Sequence, residues 1–153
     1  MLFYNKWGEL ELGQNEYEFL KYKIEILHKM VDMDANPLYD YILDYDISRE
    51  QHTFFINVLT AFSVRSTEKT HDSDKYMDAH KDSMISKYSH LDIPDLESLF
   101  LDNKPSFKEF ETLISKVLPK EVKPLSLLKR TKQQKIYVEL CEYLIADSEK
   151  QDA

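Results

Sequence analysis

Apolar residues recur at spacings of three and four through most of this 153-residue chain, the period that an α-helix imposes on a buried face. The segment after Gln14 shows it most strongly. Tyr17, Leu20, Ile24, Leu27 and Val31 follow one another at three, four, three and four, and Phe19, Tyr22, Ile26, Met30 and Met33 form a second, nearly parallel series. Two positions along a helix turn by about 200°, so the stripes lie on roughly opposite faces. One can face the subunit's own core. The other also needs cover, and the same helix from another chain is the simplest cover. Tyr17, Phe19, Leu20, Tyr22, Ile24, Ile26, Leu27 and Met30 are therefore the candidate oligomer-interface residues. The competing reading is a helix wholly enclosed within one subunit.

Capping signatures mark out the remaining elements. Asn15 with Glu18 resembles a capping box opening the helix to about Val31, and Asn36-Pro37 predicts a short helix carrying Leu38, Tyr41, Ile42 and Tyr45. Ser48 with Gln51 opens a helix bearing Phe54, Phe55, Val58, Leu59 and Phe62. The polar stretch 63–74 reads as a loop or frayed extension. Helix resumes from Asp74 to about His90 through Met77, Met84, Tyr88 and Leu91, and a helical turn with Leu96, Leu99 and Phe100 follows Pro94. Ser106 with Glu109 caps a helix of Phe110, Leu113, Ile114, Val117 and Leu118 that Pro119 stops. After a short apolar piece at Leu125, Leu127 and Leu128, Thr131 with Gln134 predicts the cap of a last helix bearing Ile136, Tyr137, Leu140, Cys141 and Leu144. The tail from Asp147 is expected to fray. Ahead of all this, Tyr4-Asn5-Lys6-Trp7-Gly8 has turn chemistry and Leu10 and Leu12 alternate with acids, which suggests a short β-hairpin or arm. The expectation is an all-α, multi-helix bundle with a long central N-terminal helix: an arm over 1–13, one helical domain over 14–147 and a tail over 148–153.

Composition narrows the function. The two glycines, Gly8 and Gly13, leave no glycine-rich phosphate cradle. One cysteine, Cys141, allows neither an intrachain disulfide nor a CxxC zinc site; on an apolar face without an adjacent base it reads as core. The net charge of −8 disfavours bulk attachment to nucleic acid or anionic lipid. The longest apolar stretch, around Phe54–Phe62, is far short of the ~20 residues that span a membrane. No signal peptide is apparent, and a protein of a reducing cytoplasm is expected.

The stretches Glu18-Phe19-Leu20-Lys21-Tyr22-Lys23-Ile24, Val31-Asp32-Met33-Asp34, Pro37-Leu38-Tyr39 and Ile47-Ser48-Arg49-Glu50 resemble the YhaI-like family of small uncharacterised proteins from Bacillus and relatives. Phe110-Glu111-Thr112-Leu113-Ile114 and the helix Tyr137–Leu144 fit more loosely. The resemblance implies an all-helical oligomer and brings no catalytic residue. Family members are typically shorter, which would make the arm, the 63–92 region and the 119–135 segment additions.

Two constellations could carry chemistry. His71, Asp72, Asp74, Asp78, His80, Asp82, His90 and Asp92 gather imidazoles and carboxylates, the donors that divalent metals take. His71-Asp72 is similar to the paired ligands of HD-type metallophosphohydrolases, with His52 conceivable as an earlier ligand; a solvated acidic face is the plainer reading. Lys120, Lys123, Lys129, Arg130, Lys132 and Lys135 oppose only Glu121, a local +5 that leaves −13 on the rest. Such a pole could contact phosphates, with Gln133 and Gln134 reading base edges. Ten tyrosines and eight phenylalanines suit interfaces but fall mostly on core stripes. The sequence thus points to a non-enzymatic protein-interaction module, an adaptor, regulator or inhibitor acting as a homo-oligomer with a protein partner. It implies no cofactor, no metal, no catalytic residue and no membrane. A DNA-binding regulator using 120–135 is the alternative, and a metal-dependent hydrolase using 71–92 a further one.

Overall fold

The computed structural model describes residues 2–4, 10–67, 71–93 and 96–151. Apart from two three-residue strands the described chain is helical: β1 Leu2–Tyr4, β2 Leu10–Leu12, α1 Gln14–Met30, α2 Pro37–Asp44, α3 Arg49–Ser66, α4 His71–Lys87, α5 Phe107–Val117, α6 Pro124–Gln133 and α7 Val138–Gln151. Two 3-10 turns, Ser89–Leu91 and Leu96–Phe100, link α4 to α5. Contacts divide the chain into two compact units, residues 1–34 and 35–153, so the helical domain expected over 14–147 spans that division.

In the first unit β1 and β2 pair antiparallel, with Leu2 opposite Leu12, Phe3 opposite Glu11 and Tyr4 opposite Leu10. The expected turn of the hairpin, within 5–9, lies outside the described residues. The predicted Asn15 cap is corrected. Gly13 holds the extended backbone that an N-cap needs, and its carbonyl accepts from the Tyr17 amide at 2.9 Å, so the helix already begins at Gln14.

The core of the second unit is built around α3, whose Phe54, Phe55, Val58, Leu59 and Phe62 are buried against residues of α4, α5, α7 and the second 3-10 turn. Ser48 and Gln51 form the predicted capping box in full, with Ser48 Oγ accepting from the Gln51 amide and Gln51 Oε1 from the Ser48 amide. Gln51 Nε2 also donates to Val117 O at 3.0 Å, which joins the start of α3 to the end of α5. Met84 on α4 and Tyr88 just beyond its end are buried one turn apart, and the Tyr88 hydroxyl accepts from Asn57. The helix expected to resume at Asp74 starts at His71, and α3 continues to Ser66, so the expected loop shrinks to a few residues, of which 68–70 lie outside the described ones.

Arg65 ties the end of α3 to the chain that enters α5. Its side chain is 1% exposed. Nε donates to Asn103 O, Nη1 to Ser98 O and Glu109 Oε1, and Nη2 to Asn103 Oδ1 and Glu109 Oε2. All five guanidinium donors are thereby engaged, and the plane also lies over Phe62. Ser106 caps α5 as predicted, accepting from the Glu109 amide, while the Glu109 carboxylate goes to Arg65 instead of back to the cap. Asp147 Oδ2 accepts the Phe107 amide at 2.8 Å. That anchor corrects the expected fraying from Asp147: α7 continues to Gln151, and Ser148 is buried.

The Thr131–Gln134 cap is also corrected. Thr131 lies inside α6, fully buried, with its hydroxyl donating to Leu127 O at 2.6 Å. Gln134 crosses to α2, where its Oε1 accepts from the Leu38 and Tyr39 amides at 2.8 and 3.2 Å and so supplies that helix's N-terminal acceptor from across the fold. Between α6 and α7 the chain reverses through Lys135 (φ 63°) and Tyr137 (φ 45°), both left-handed. A non-glycine residue in that region costs roughly 1–2 kcal/mol, and this segment has no glycine to use.

These anchors fix expected stabilities. Arg65→Ala leaves the Glu109 carboxylate and two backbone carbonyls without their donor and should cost about 3–5 kcal/mol in urea unfolding. Lys135→Gly relieves the left-handed backbone and should raise stability by roughly 1 kcal/mol. Tyr137→Gly should instead destabilise, because the Tyr137 hydroxyl bonds Thr60 at 2.7 Å.

Candidate functional site

A 17-residue helix with apolar stripes on two faces needs two neighbours to bury them. α1 buries no residue at all. Each of the eight residues singled out by spacing is exposed, up to 66% for Phe19 and 76% for Met30, and Val31 at the C-cap adds a ninth. Monomeric proteins rarely expose contiguous apolar surface on this scale. Burying one Leu, Ile or Phe side chain contributes about 1.5–3 kcal/mol, against roughly 4–15 kcal/mol for lost freedom on association. A partner must therefore cover a whole stripe rather than one side chain. What this surface can do chemically is bind another apolar surface.

The basic segment surrounds α6. Lys123 is its N-cap residue, with its backbone amide donating to the Tyr41 hydroxyl at 3.0 Å. Burial pushes that phenol above its ordinary pKa, against the Lys123 hydrogen bond that lowers it. Arg130 lies 3.9 Å from Asp40 and Lys132 3.5 Å from Glu142, so these two cations have acidic neighbours in their own chain. Lys120, Lys129 and Lys135 are exposed. Gln134 cannot take the base-reading role expected of it, because its amide oxygen, which bidentate adenine recognition needs, caps α2.

The described side chains of the His/Asp-rich segment do not gather into one place. His80 stacks on Tyr76 with ring centroids 4.4 Å apart, while His90 Nε2 lies 2.5 Å from Glu50 Oε1 and ties the first 3-10 turn to α3. Asp78, Asp82 and Asp92 are exposed. The side chains of His71, Asp72 and Asp74 lie outside the described residues. Among the described residues no group of three or more His, Cys, Asp or Glu is placed to hold a metal ion. His52, on α3, meets the edge of Tyr39, and burial pushes its imidazole below the usual value.

Spacing does not single out a cleft of about 890 Å³ in the second unit, beside Arg65 and lined by Lys81, Tyr88, Asp92, Ser98 and Lys108 among others. The available signal was Arg65 itself, three residues beyond Phe62 on the apolar face of α3, where a cation requires buried partners. Acids and bases mix along this cleft, and Arg65 has no donor left for a ligand. Among the described residues no helix is long and apolar enough to cross a membrane.

Compared with known proteins, the chain matches no family model, no curated protein and no solved structure.

Cys141 is fully buried, and burial pushes its thiol up to about 12, outweighing the nearby Lys132. Thiolate is the reactive form, so at pH 8 the native protein should give no colour with a thiol-exchange reagent, and one equivalent should react once denaturant is added.

Proposed function

We propose that this chain is a non-enzymatic protein-interaction module, an adaptor, regulator or inhibitor, that works as a homo-oligomer through α1. One observation carries the reading: a helix of 17 residues whose large apolar side chains are all exposed. Helix physics supports it. Isolated helices below ~12–15 residues are marginal even when alanine-rich, and α1 is only a little longer and rich in aromatic and β-branched residues of lower propensity. Its helicity therefore calls for packing. In the proposed assembly α1 is the central helix of a bundle and the N-terminal strands form an arm beside it. A cytoplasmic location and the likeness to the YhaI-like family belong to the same reading.

Light scattering after size exclusion tests it. The expected mass at micromolar concentration is a multiple of the 18.2 kDa chain, and Ile24→Lys with Leu27→Lys should return it to one chain while most of the helical circular dichroism remains. A wild-type protein that scatters as a monomer contradicts the proposal.

A further inference from the structure

The reversal between α6 and α7 lacks the residues that such a turn ordinarily uses. The Lys135 amide donates to Lys132 O at 2.9 Å and the Ile136 amide to Thr131 O at 3.2 Å, the pair of bonds that closes a helix around one left-handed residue. Glycine usually takes that position, because it has no Cβ to strike the neighbouring carbonyl. Here it is Lys135, at φ 63°. Two residues on, Tyr137 is left-handed as well, at φ 45°, and its carbonyl opens the α7 ladder by accepting from the Cys141 amide at 2.9 Å. Serine, threonine, asparagine or aspartate favours that starting position, whereas the tyrosine hydroxyl is engaged by Thr60.

The same residues suit an uninterrupted helix. No glycine or proline lies between Leu125 and Gln151, and the helical spacing of Ile136, Tyr137, Leu140, Cys141 and Leu144 runs straight through the reversal. A continuous ladder would give the amides of residues 135–138 the carbonyls of residues 131–134, with right-handed backbone throughout. Gln134 already lies next to the helical region (φ −82°, ψ 5°), so its cap on α2 need not move.

We propose that two copies of this chain exchange α7. The reversal straightens, α6 and α7 join into one helix from Pro124 to Gln151, about 42 Å long, and each α7 fills the place of the other copy's α7. Short hinges under strain invite such exchange, and the contacts of α7 are re-made between copies. Leu140, Cys141 and Leu144 return to a buried face, Asp147 accepts the Phe107 amide of the second copy, and the Tyr143 hydroxyl donates to Pro105 O of the second copy. Both left-handed residues disappear from each chain. The closed chain retains the Tyr137–Thr60 bond and the freedom of a single molecule, so exchange rises with concentration. This association uses the second unit and does not depend on α1.

Lys132 on α6 and Glu142 on α7, both exposed and 3.5 Å apart at their tips, supply the test. The full chain carrying Lys132→Cys with Glu142→Cys is unfolded in urea, refolded at rising concentration and then treated with a short bismaleimide. Cys141, fully buried, does not compete. On a denaturing gel a closed chain runs as one chain linked to itself, even when it comes from an oligomer built through α1. Exchanged chains run as a covalent dimer, and the expected result is a dimer whose share rises with refolding concentration. Lys135→Gly suits the turn and weakens the straight helix, and should raise the concentration needed for half exchange at least about tenfold. Lys135→Ile, a β-branched residue that left-handed backbone disfavours, should lower it. Chains that link only to themselves at every concentration overturn the exchange, and so does a dimer share that Lys135→Gly leaves unchanged. Self-association through α1 is read separately, by the mass of the Ile24→Lys, Leu27→Lys variant.

Discussion

The second unit depends on a single guanidinium. Arg65 is the last large side chain of α3, and its five donors reach Ser98 in a 3-10 turn, Asn103 in the irregular stretch before α5, and Glu109 in the first turn of α5. Between Leu101 and Ser106 the chain has no helical ladder of its own, so this fan of bonds substitutes for one. Lysine could not replace it, since an ammonium has three donors and lacks the planar fork that matches a carboxylate with two parallel bonds. Buried charge is costly unless paired and hydrogen-bonded, and here both conditions are met. Because Arg65 is saturated by its own chain, it is a structural latch, and the adjacent cleft inherits no cation from it.

Local signals in the sequence carried the helices whose ends are governed by near neighbours. Ser48 and Gln51 are three residues apart and need nothing else to form their box; Asn36-Pro37 and Ser106 likewise start helices where the local rule puts them. Thr131 and Gln134 have the same spacing, yet tertiary contacts take both. Thr131 turns back to Leu127 inside a buried helix face, and Gln134 finds amides 95 and 96 residues away. No window of local sequence contains that partner. Asp147 is a similar case, a polar residue near the terminus that anchors α5 from α7. The scarcity of glycine was visible from composition, but its consequence appears only in the fold, where Asp46, Asp92, Lys135 and Tyr137 occupy left-handed backbone.

The candidate surface was more legible than the candidate chemistry. Two stripes at helical spacing are a local property, and all eight residues named from them are exposed on α1. The basic and His/Asp-rich segments were read as clusters because they are close in sequence. In space, Arg130 and Lys132 have acidic neighbours, and His80 and His90 have partners on different elements. Proximity along a chain makes a charge run, whereas a site needs convergence, and α1 is the element whose unmet requirement is plain from its exposed faces alone.

That requirement is most directly read by hydrogen exchange along α1 across a dilution series. If the apolar faces of residues 14–30 are buried between copies, their amides exchange slowly in concentrated protein and lose protection on dilution, while α3 and α5 remain protected throughout. Protection of α1 that does not change with concentration, or its absence even in concentrated protein, would contradict the account.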